Sequence, residues 1–138
     1  MPPYRFLDHT ADLMIEVRAD SLEELFSESA VALFDVIVGV KSVSVRRHVE
    51  VQASGDNKEE LLVDWLRELF YLFSGERMVL SHFEILHFSE TELHARCGGE
   101  RYRSDLHEVR FDVKAVTYHG LSISHGDGGY SVSVLFDV

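Results

Sequence analysis

The chain contains 138 residues, of which 46% are hydrophobic and 27% are charged, as in an ordinary soluble globular protein. A chain of this length folds most simply as one domain, here residues 1–138, and can bury a substantial core. There are 24 acidic side chains against 13 basic ones, and the formal net charge is −11. This charge argues against direct, stable binding to nucleic acid, because that binding depends on clustered positive charge.

The same charge suits a protein that docks on a basic partner or holds a cation, although solubility alone is a sufficient reason for it. Residues 1–5 lack the apolar stretch of a signal peptide, and no apolar run approaches the roughly 20 residues that span a bilayer. The single cysteine, Cys97, cannot form an internal disulfide. We therefore expect a cytoplasmic protein that does not enter a membrane.

The first half of the chain predicts the order strand, helix, strand, helix. Apolar and polar residues alternate over residues 13–19, which indicates a half-buried strand. A Ser-Leu-Glu-Glu capping box then precedes apolar residues at helical spacing, which predicts a helix over residues 22–38. A second strand is predicted over residues 43–53, and a second helix, capped by Asn57, over about residues 58–73.

The second half of the chain predicts consecutive strands. Residues 83–88, 92–96 and 109–118 have strand-like patterns, and residues 121–136 predict a closing hairpin around a glycine-rich turn. Single helices between strands, followed by a run of strands, favour an α+β fold. We expect one two-layer domain in which a mostly antiparallel sheet packs with two helices.

The densest polar segment is Asp8-His9-Thr10-Ala11-Asp12, directly before the first predicted strand, and Phe136-Asp137-Val138 ends the last one. If these strands are adjacent and antiparallel, the start of one lies beside the end of the other. Asp12, Asp137 and the terminal carboxylate of Val138 would then form a cluster of oxygen anions, which suits Ca²⁺ or Mg²⁺. Alternatively, Asp12 is a turn acceptor and the C-terminus frays. Spacing alone leaves both interpretations open.

Standard catalytic motifs are absent from the sequence: there is no phosphate-binding glycine loop, nucleophile elbow, Cys-x-x-Cys or His-Glu-x-x-His. Lys114 and His119 lie at the polar end of a predicted strand, where they would either line a site or face solvent. Asp64 can pair with Arg67 on the surface of the second helix. We interpret Cys97 as a structural or incidental residue, because no base accompanies it.

Four segments together resemble the archease family, and their order and spacing make the match specific: His9-Thr10-Ala11-Asp12, Leu62-Val63-Asp64-Trp65-Leu66, Val113-Lys114-Ala115-Val116-Thr117-Tyr118-His119 and Phe136-Asp137-Val138. The resemblance extends over essentially the whole chain. It implies a small, acidic α+β cofactor of the RtcB-type tRNA-splicing ligase, which joins RNA ends through a guanylylated histidine. The implied role is to promote ligase guanylylation and so restore the ligase for further turnovers, without a catalytic cycle of its own.

The resemblance also implies a divalent-metal site, for Ca²⁺, Mg²⁺ or Mn²⁺, whose ligands are Asp12, Asp137 and Val138. Four further residues match the family motifs, and we expect them to face the partner or to support the metal ligands: His9, Asp64, Lys114 and His119.

Two other classes of function stay open at this point. A metal-dependent hydrolase would use Asp12 and Asp137 to hold the ion and His119 as the base, but the missing nucleophile motifs count against it. A chaperone-like adaptor would bind RNA-processing or methyltransferase enzymes through its acidic surface.

Overall fold

The computed structural model describes residues 12–117 and 120–138. In this part of the chain there are seven strands: β1 (Asp12–Ala19), β2 (Arg47–Ser54), β3 (Met78–Phe88), β4 (Glu92–Arg101), β5 (Ala115–Thr117), β6 (Ile123–Gly126) and β7 (Gly129–Asp137). The helices are α1 (Leu22–Ile37), α2 (Lys58–Ser74) and a short 3-10 helix (Val40–Ser42). None of the described helices is long and apolar enough to cross a membrane.

The strands form two antiparallel sheets. Sheet A has the order β1-β7-β5, and β6 also pairs with β7, while sheet B has the order β2-β4-β3. Helix α1 packs against β1 and β3, and therefore contacts both sheets, whereas α2 packs mainly on β2. The predicted α+β class with two helices and antiparallel strands is confirmed. The single sheet that we expected is divided in two, because the last strand pairs with the first one instead of extending the sheet of β3 and β4.

Both helices begin where the capping residues predicted. The Ser21 hydroxyl accepts a hydrogen bond from the Glu24 amide at 3.1 Å, and the Asn57 side chain accepts one from the Glu60 amide at 2.9 Å. These bonds satisfy amide groups that have no partner within the first turn of a helix. Gly39 follows α1 with φ of 77°, a left-handed conformation that glycine adopts without a steric penalty.

The core lies between the two helices and the inner faces of the sheets. Trp65 is fully buried, and its indole Nε1 donates a hydrogen bond to the Phe26 main-chain oxygen at 3.0 Å, which joins α2 to α1. The Trp65 ring also contacts the Phe83 ring edge-on at 6.3 Å between centroids. Burying each such large side chain contributes roughly 1.5–3 kcal/mol. The large apolar side chains of α2 that are fully buried, Leu61, Leu62, Trp65, Leu66 and Leu69, take part in this packing.

The strand predicted over residues 109–118 is mostly wrong, because among the described residues 109–117 only Ala115–Thr117 form a strand. The preceding residues form a loop that is tied to other elements. The Arg110 amide donates to the Ile37 main-chain oxygen at 2.7 Å, at the end of α1. Similarly, the second strand begins at Arg47 and not at residue 43, because the Ser44 amide donates to the Glu100 carboxylate at 2.7 Å, outside any sheet ladder.

Candidate functional site

Strands β1 and β7 are adjacent and antiparallel, and their register places Asp12 directly opposite Asp137. The apolar residues Leu13, Ile15 and Val17 turn toward α1 and the core, so Asp12 lies on the opposite, outer face of sheet A. Directly opposed residues of an antiparallel pair project from the same face, with Cβ atoms about 4.5–5.5 Å apart. The strand adjacency that the sequence left open is therefore present, and it places the two aspartates opposite each other.

The main chain of Asp137 is fixed from both sides. Asp12 is its neighbour on β1, and Ala115 is its neighbour on β5. The Lys114 amide, one residue before β5, donates to the Asp137 main-chain oxygen at 2.7 Å. The Asp137 side chain is half-buried, and its buried Oδ1 atom accepts no hydrogen bond from the described residues. A buried carboxylate oxygen without a partner is energetically unfavourable unless something else satisfies it.

The donor set around Asp137 consists of hard oxygen atoms. Like charges that lie directly opposite on a sheet destabilise it, and a divalent cation would relieve this repulsion and would satisfy the Oδ1 atom. Val138 directly follows Asp137 at the end of β7, and its oxygen atoms belong to the same hard class of ligand. Over residues 12–117 and 120–138, no three His, Cys, Asp or Glu side chains form a metal-binding group. The chemistry of Asp12, Asp137 and Val138 fits a hard cation such as Ca²⁺, Mg²⁺ or Mn²⁺.

Of the other predicted site residues, Lys114 is the one whose main chain contacts Asp137. Its side chain is exposed, and within the described part of the chain its ammonium group forms no ion pair with either aspartate. The lysine is thus available to a partner at this edge of sheet A. His9 and His119 lie outside the described residues.

Asp64 lies in the middle of α2, beside sheet B. Its Oδ2 atom accepts a hydrogen bond from the Ser54 amide at 2.9 Å, which connects the middle of α2 to the end of β2 in sheet B. Asp64 and Ser54 line two neighbouring open clefts of about 540 and 640 Å³. Arg67, the partner that the helical spacing suggested, lines the smaller cleft. Asp64 therefore belongs to the contact between α2 and sheet B, whereas Asp12 and Asp137 belong to sheet A.

Comparison of the sequence with known proteins shows the family of the chain. The sequence matches the model of the Archease protein family (MTH1598/TM1083) over residues 4–138. It is 35% identical over 139 residues to the protein archease of Methanopyrus kandleri, covering 99% of both chains. It is 37% identical over 143 residues to the protein archease of Pyrococcus abyssi, covering 100% of both chains. The chain belongs to the archease family.

A solved structure supports the archease fold independently. The solution structure of Methanobacterium thermoautotrophicum protein 1598 superposes with a TM-score of 0.71 and 29% sequence identity, covering 96% of both chains. The family resemblance that the four motifs predicted is confirmed, and so is the α+β fold that the resemblance implied.

This archease also contains a buried carboxylate–imidazole pair that sequence reasoning missed. The side chains of His107 and Glu100 are only 0% and 5% exposed, and His107 Nε2 lies 2.9 Å from Glu100 Oε2. His107 Nδ1 accepts a hydrogen bond from the Arg103 amide at 2.9 Å, so the ring proton lies on Nε2 and is donated to Glu100. The spacing of these residues in the sequence does not predict this pair, because Glu108 is the carboxylate next to His107 in the chain, whereas Glu100 is seven residues away.

Two further donors converge on Glu100. The Ser44 amide donates to Oε2 at 2.7 Å, and Arg46 Nε donates to Oε1 at 3.2 Å. These bonds, above all the one from Ser44, hold the pKa of Glu100 below its ordinary value, although burial acts in the opposite direction. Since both side chains are buried, the pair is placed to join the loop after β4 to the segment before β2, and not to contact a substrate.

Cys97 lies on β4 and is fully buried. Burial raises the pKa of its thiol to about 12, so the thiol stays protonated at neutral pH. This environment agrees with the interpretation of Cys97 as a structural residue.

Proposed function

We propose that this archease is a metal-binding protein cofactor that activates an RtcB-type tRNA-splicing ligase by promoting its guanylylation and its multiple turnover in RNA ligation. One observation carries the proposal: in a member of the archease family, Asp12 and Asp137 lie opposite each other on one face of sheet A, where the motif resemblance predicted a metal site. The protein would act as a single domain in the cytoplasm, bind the ligase directly, and bind no nucleic acid stably by itself.

Three groups of the chain would hold the divalent cation: the carboxylates of Asp12 and Asp137 and a main-chain oxygen of Val138. A bound cation would supply positive charge for the phosphate groups of a nucleotide triphosphate at the ligase site. The two aspartates are positioned by the β1–β7 ladder, so their spacing does not depend on a loop. The exposed Lys114 ammonium group would add a second cationic contact at the same edge.

Guanylylation brings a nucleotide triphosphate and divalent metals into the ligase site, where negative charge has to be neutralised and aligned. A basic cleft in the ligase would accept the acidic end of sheet A, because the charges are opposite. In this role the archease chain positions charge and then dissociates, so that it needs no nucleophile of its own. His9 and His119 would support the ligands or face the ligase, as the family resemblance implies.

The first test is RNA ligation by the purified ligase in single- and multiple-turnover conditions, with Asp12→Ala and Asp137→Ala variants of the archease. Wild-type protein should stimulate multiple turnover, and both variants should lose this effect because each lacks one cation ligand. Asp127→Ala is the matched control, because it removes the same charge from the exposed turn at the opposite end of β7. Full stimulation by both the Asp12 and the Asp137 variants would contradict the proposal.

A ligase-free measurement separates metal binding from activation. Ca²⁺, Mg²⁺ or Mn²⁺ should raise the thermal unfolding midpoint of the wild-type and Asp127→Ala proteins, since a ligand that binds the folded state stabilises it. At a hundredfold excess over Kd the gain is about 2.7 kcal/mol. The Asp12→Ala and Asp137→Ala proteins should show no such shift, and equal shifts in all four proteins would place the cation elsewhere.

A further inference from the structure

We propose that the end of sheet B at which β2 and β3 begin and β4 ends binds the phosphate groups of RNA through Arg47, Arg77 and Arg101. We call these three residues the arginine cluster. The inference goes beyond the proposed function, because this chain would contact RNA itself. Only the choice of RNA among polyanions rests on that function.

The basic side chains of this acidic chain are unevenly distributed. Five of the 13 lie at one end of sheet B: Arg46, Arg47, Arg77, Arg101 and Arg103. The strand register brings them together, because Gly99 of β4 is opposite Arg47 and Met78 of β3 is opposite Arg101. Three carboxylates lie among them: Glu76, Glu100 and Asp105. This end is therefore positively charged, although the chain as a whole carries a net charge of −11.

Two of the five arginines are neutralised by carboxylates. Arg46 Nε lies 3.2 Å from Glu100 Oε1, and Arg103 Nη2 lies 2.7 Å from Asp105 Oδ2. The arginine cluster is different, because its three side chains are exposed and form no ion pair with a carboxylate of residues 12–117 and 120–138. The exposed Glu76 offsets one of these charges, and two remain.

The side chain of Arg77 is oriented by aromatic rings. Its guanidinium carbon lies 5.3 Å from the centroid of the Phe73 ring and 5.0 Å from that of the Tyr102 ring. The Tyr102 amide also donates to the Arg77 main-chain oxygen at 2.7 Å. An arginine that contacts aromatic rings in this way keeps the N–H groups at its edge for a phosphate. Arg77 is thus held in place while its charge stays available.

The backbone of Arg77 also indicates a role for its side chain. Among the described residues, Arg77 is the non-glycine residue with a positive φ, which is 59°. This left-handed conformation is unfavourable for a residue with a Cβ atom, and glycine adopts it without a steric penalty. Residues in such conformations concentrate at functional sites. An arginine at this position is therefore expected where its guanidinium group is needed.

Arg47 and Arg101 lie diagonally across two neighbouring strands. Arg101 is two residues beyond Gly99, the partner of Arg47, so the two arginines project from the same face about 7–8 Å apart. Arg47 Nη2 lies 3.1 Å from the Met78 sulfur. A thioether sulfur is a weak acceptor, so this contact positions the guanidinium group without neutralising its charge.

A polyanion is the partner that fits the arginine cluster. Every phosphate of RNA carries a negative charge, and a guanidinium group binds phosphate through two parallel hydrogen bonds. The net charge of −11 keeps this contact weak in the isolated chain. It becomes effective when the ligase holds both the RNA and the archease, because the contact is then intramolecular. An acidic protein segment would fit the same charges, and the measurements distinguish it from RNA.

The test is the binding of a labelled single-stranded RNA to the full chain, measured by fluorescence anisotropy at about 25 and 100 mM salt. Three phosphate contacts predict about twentyfold tighter binding at the lower salt concentration. Arg47→Gln, Arg77→Gly and Arg101→Gln should each raise the Kd about three- to tenfold at 25 mM salt and reduce its salt dependence. Arg77→Gly also suits the left-handed backbone, so its loss of binding would not reflect a strained fold.

Arg96→Gln is the matched control. Arg96 is exposed on the same strand as Arg101, but the residues opposite it are Glu50 on β2 and Glu84 on β3. Its charge is therefore compensated within the sheet, and its removal should change the Kd for RNA by less than about twofold. All four variants should unfold at temperatures close to that of the wild type.

Each outcome decides a different point. If the wild type binds no RNA at 25 mM salt but stimulates the ligase, the RNA contact is wrong and the proposed function stands. If Arg96→Gln weakens RNA binding as much as the cluster variants do, the contact does not lie at the arginine cluster. Cluster variants that bind RNA normally but bind the ligase more weakly would assign the cluster to an acidic protein segment and overturn the inference. Weaker RNA binding by these variants, in a chain that does not stimulate the ligase, would confirm the contact and contradict the proposed function.

Discussion

The main chain of Asp137 is hydrogen-bonded on both sides, whereas its side chain lacks a partner for one buried oxygen atom among the described residues. Its main chain is fixed between β1 and β5, with Asp12 directly opposite on β1, and the buried atom without a partner among the described residues is Oδ1. Leaving a buried acceptor unpaired costs about 1–3 kcal/mol. Local violations of this kind are expected at functional sites, where the folded chain retains a group that a ligand will satisfy. The cation that we propose for this site would satisfy the Oδ1 atom.

Glu100 presents the contrasting case, because its carboxylate is satisfied by Ser44, Arg46 and His107. Its folded-state pKa is lowered, so it contributes stability above the pKa of the unfolded chain and loses it as the pH falls through the folded-state pKa. Glu100→Gln should lower the free energy of unfolding by about 1–3 kcal/mol at pH 7. In urea titrations from pH 7 down to about pH 3, the difference between the variant and the wild type should shrink below about pH 4.3.

The control for Glu100 is Glu50, whose carboxylate lies 2.8 Å from His94 but is 65% exposed. Glu50→Gln should change the free energy of unfolding by less than about 1 kcal/mol, because exposed ion pairs contribute little. Equal effects of the two substitutions, or a Glu100→Gln deficit that does not change with pH, would show that the buried pair does not stabilise the fold electrostatically.

At the scale of elements, α2 is specified by local chemistry at its first turn. Asn57 Oδ1 accepts a hydrogen bond from the Glu60 main-chain amide, and Asn57 Nδ2 donates one to the Glu60 carboxylate at 3.1 Å, so two hydrogen bonds join these residues across the first turn. Asn57→Ala should lower the free energy of unfolding by about 0.5–2 kcal/mol in urea titrations. Asn57→Asp retains the accepting oxygen and should stay close to the wild type. Similar losses in both variants would mean that the cap does not determine where α2 starts.

The alternation of apolar and polar residues before β5 gave a wrong strand prediction, and the structure shows why. Val109, Phe111 and Val113 alternate as in a strand, but Val109 and Phe111 are 41% and 39% exposed, and only Val113 is buried. The segment is held by hydrogen bonds to the end of α1 and by the buried His107 side chain. An alternation of apolar and polar residues is typical of a half-buried strand. The same alternation also occurs in a loop whose contacts come from distant parts of the chain, and the sequence pattern does not distinguish the two.

At the scale of the whole molecule, the net charge of −11 should act on association with the ligase. The association rate constant should fall steeply as salt rises from about 50 to 500 mM, while the dissociation rate constant changes much less. Stopped-flow or surface-based kinetics at several salt concentrations measures both. An association rate that does not depend on salt would contradict electrostatic steering.

The sequence alone determined the α+β class, the starts of both helices and the half-buried character of β1, because these depend on neighbouring residues and on short-range periodicity. Its motifs also indicated the archease family. Only the tertiary structure decided that the strands form two sheets, that Glu100 pairs with His107, and that Asp12 faces Asp137. These pairings join residues far apart in the chain, and strand neighbours and register follow from the packing of the whole core. The placement of the two aspartates opposite each other is therefore a property of the fold.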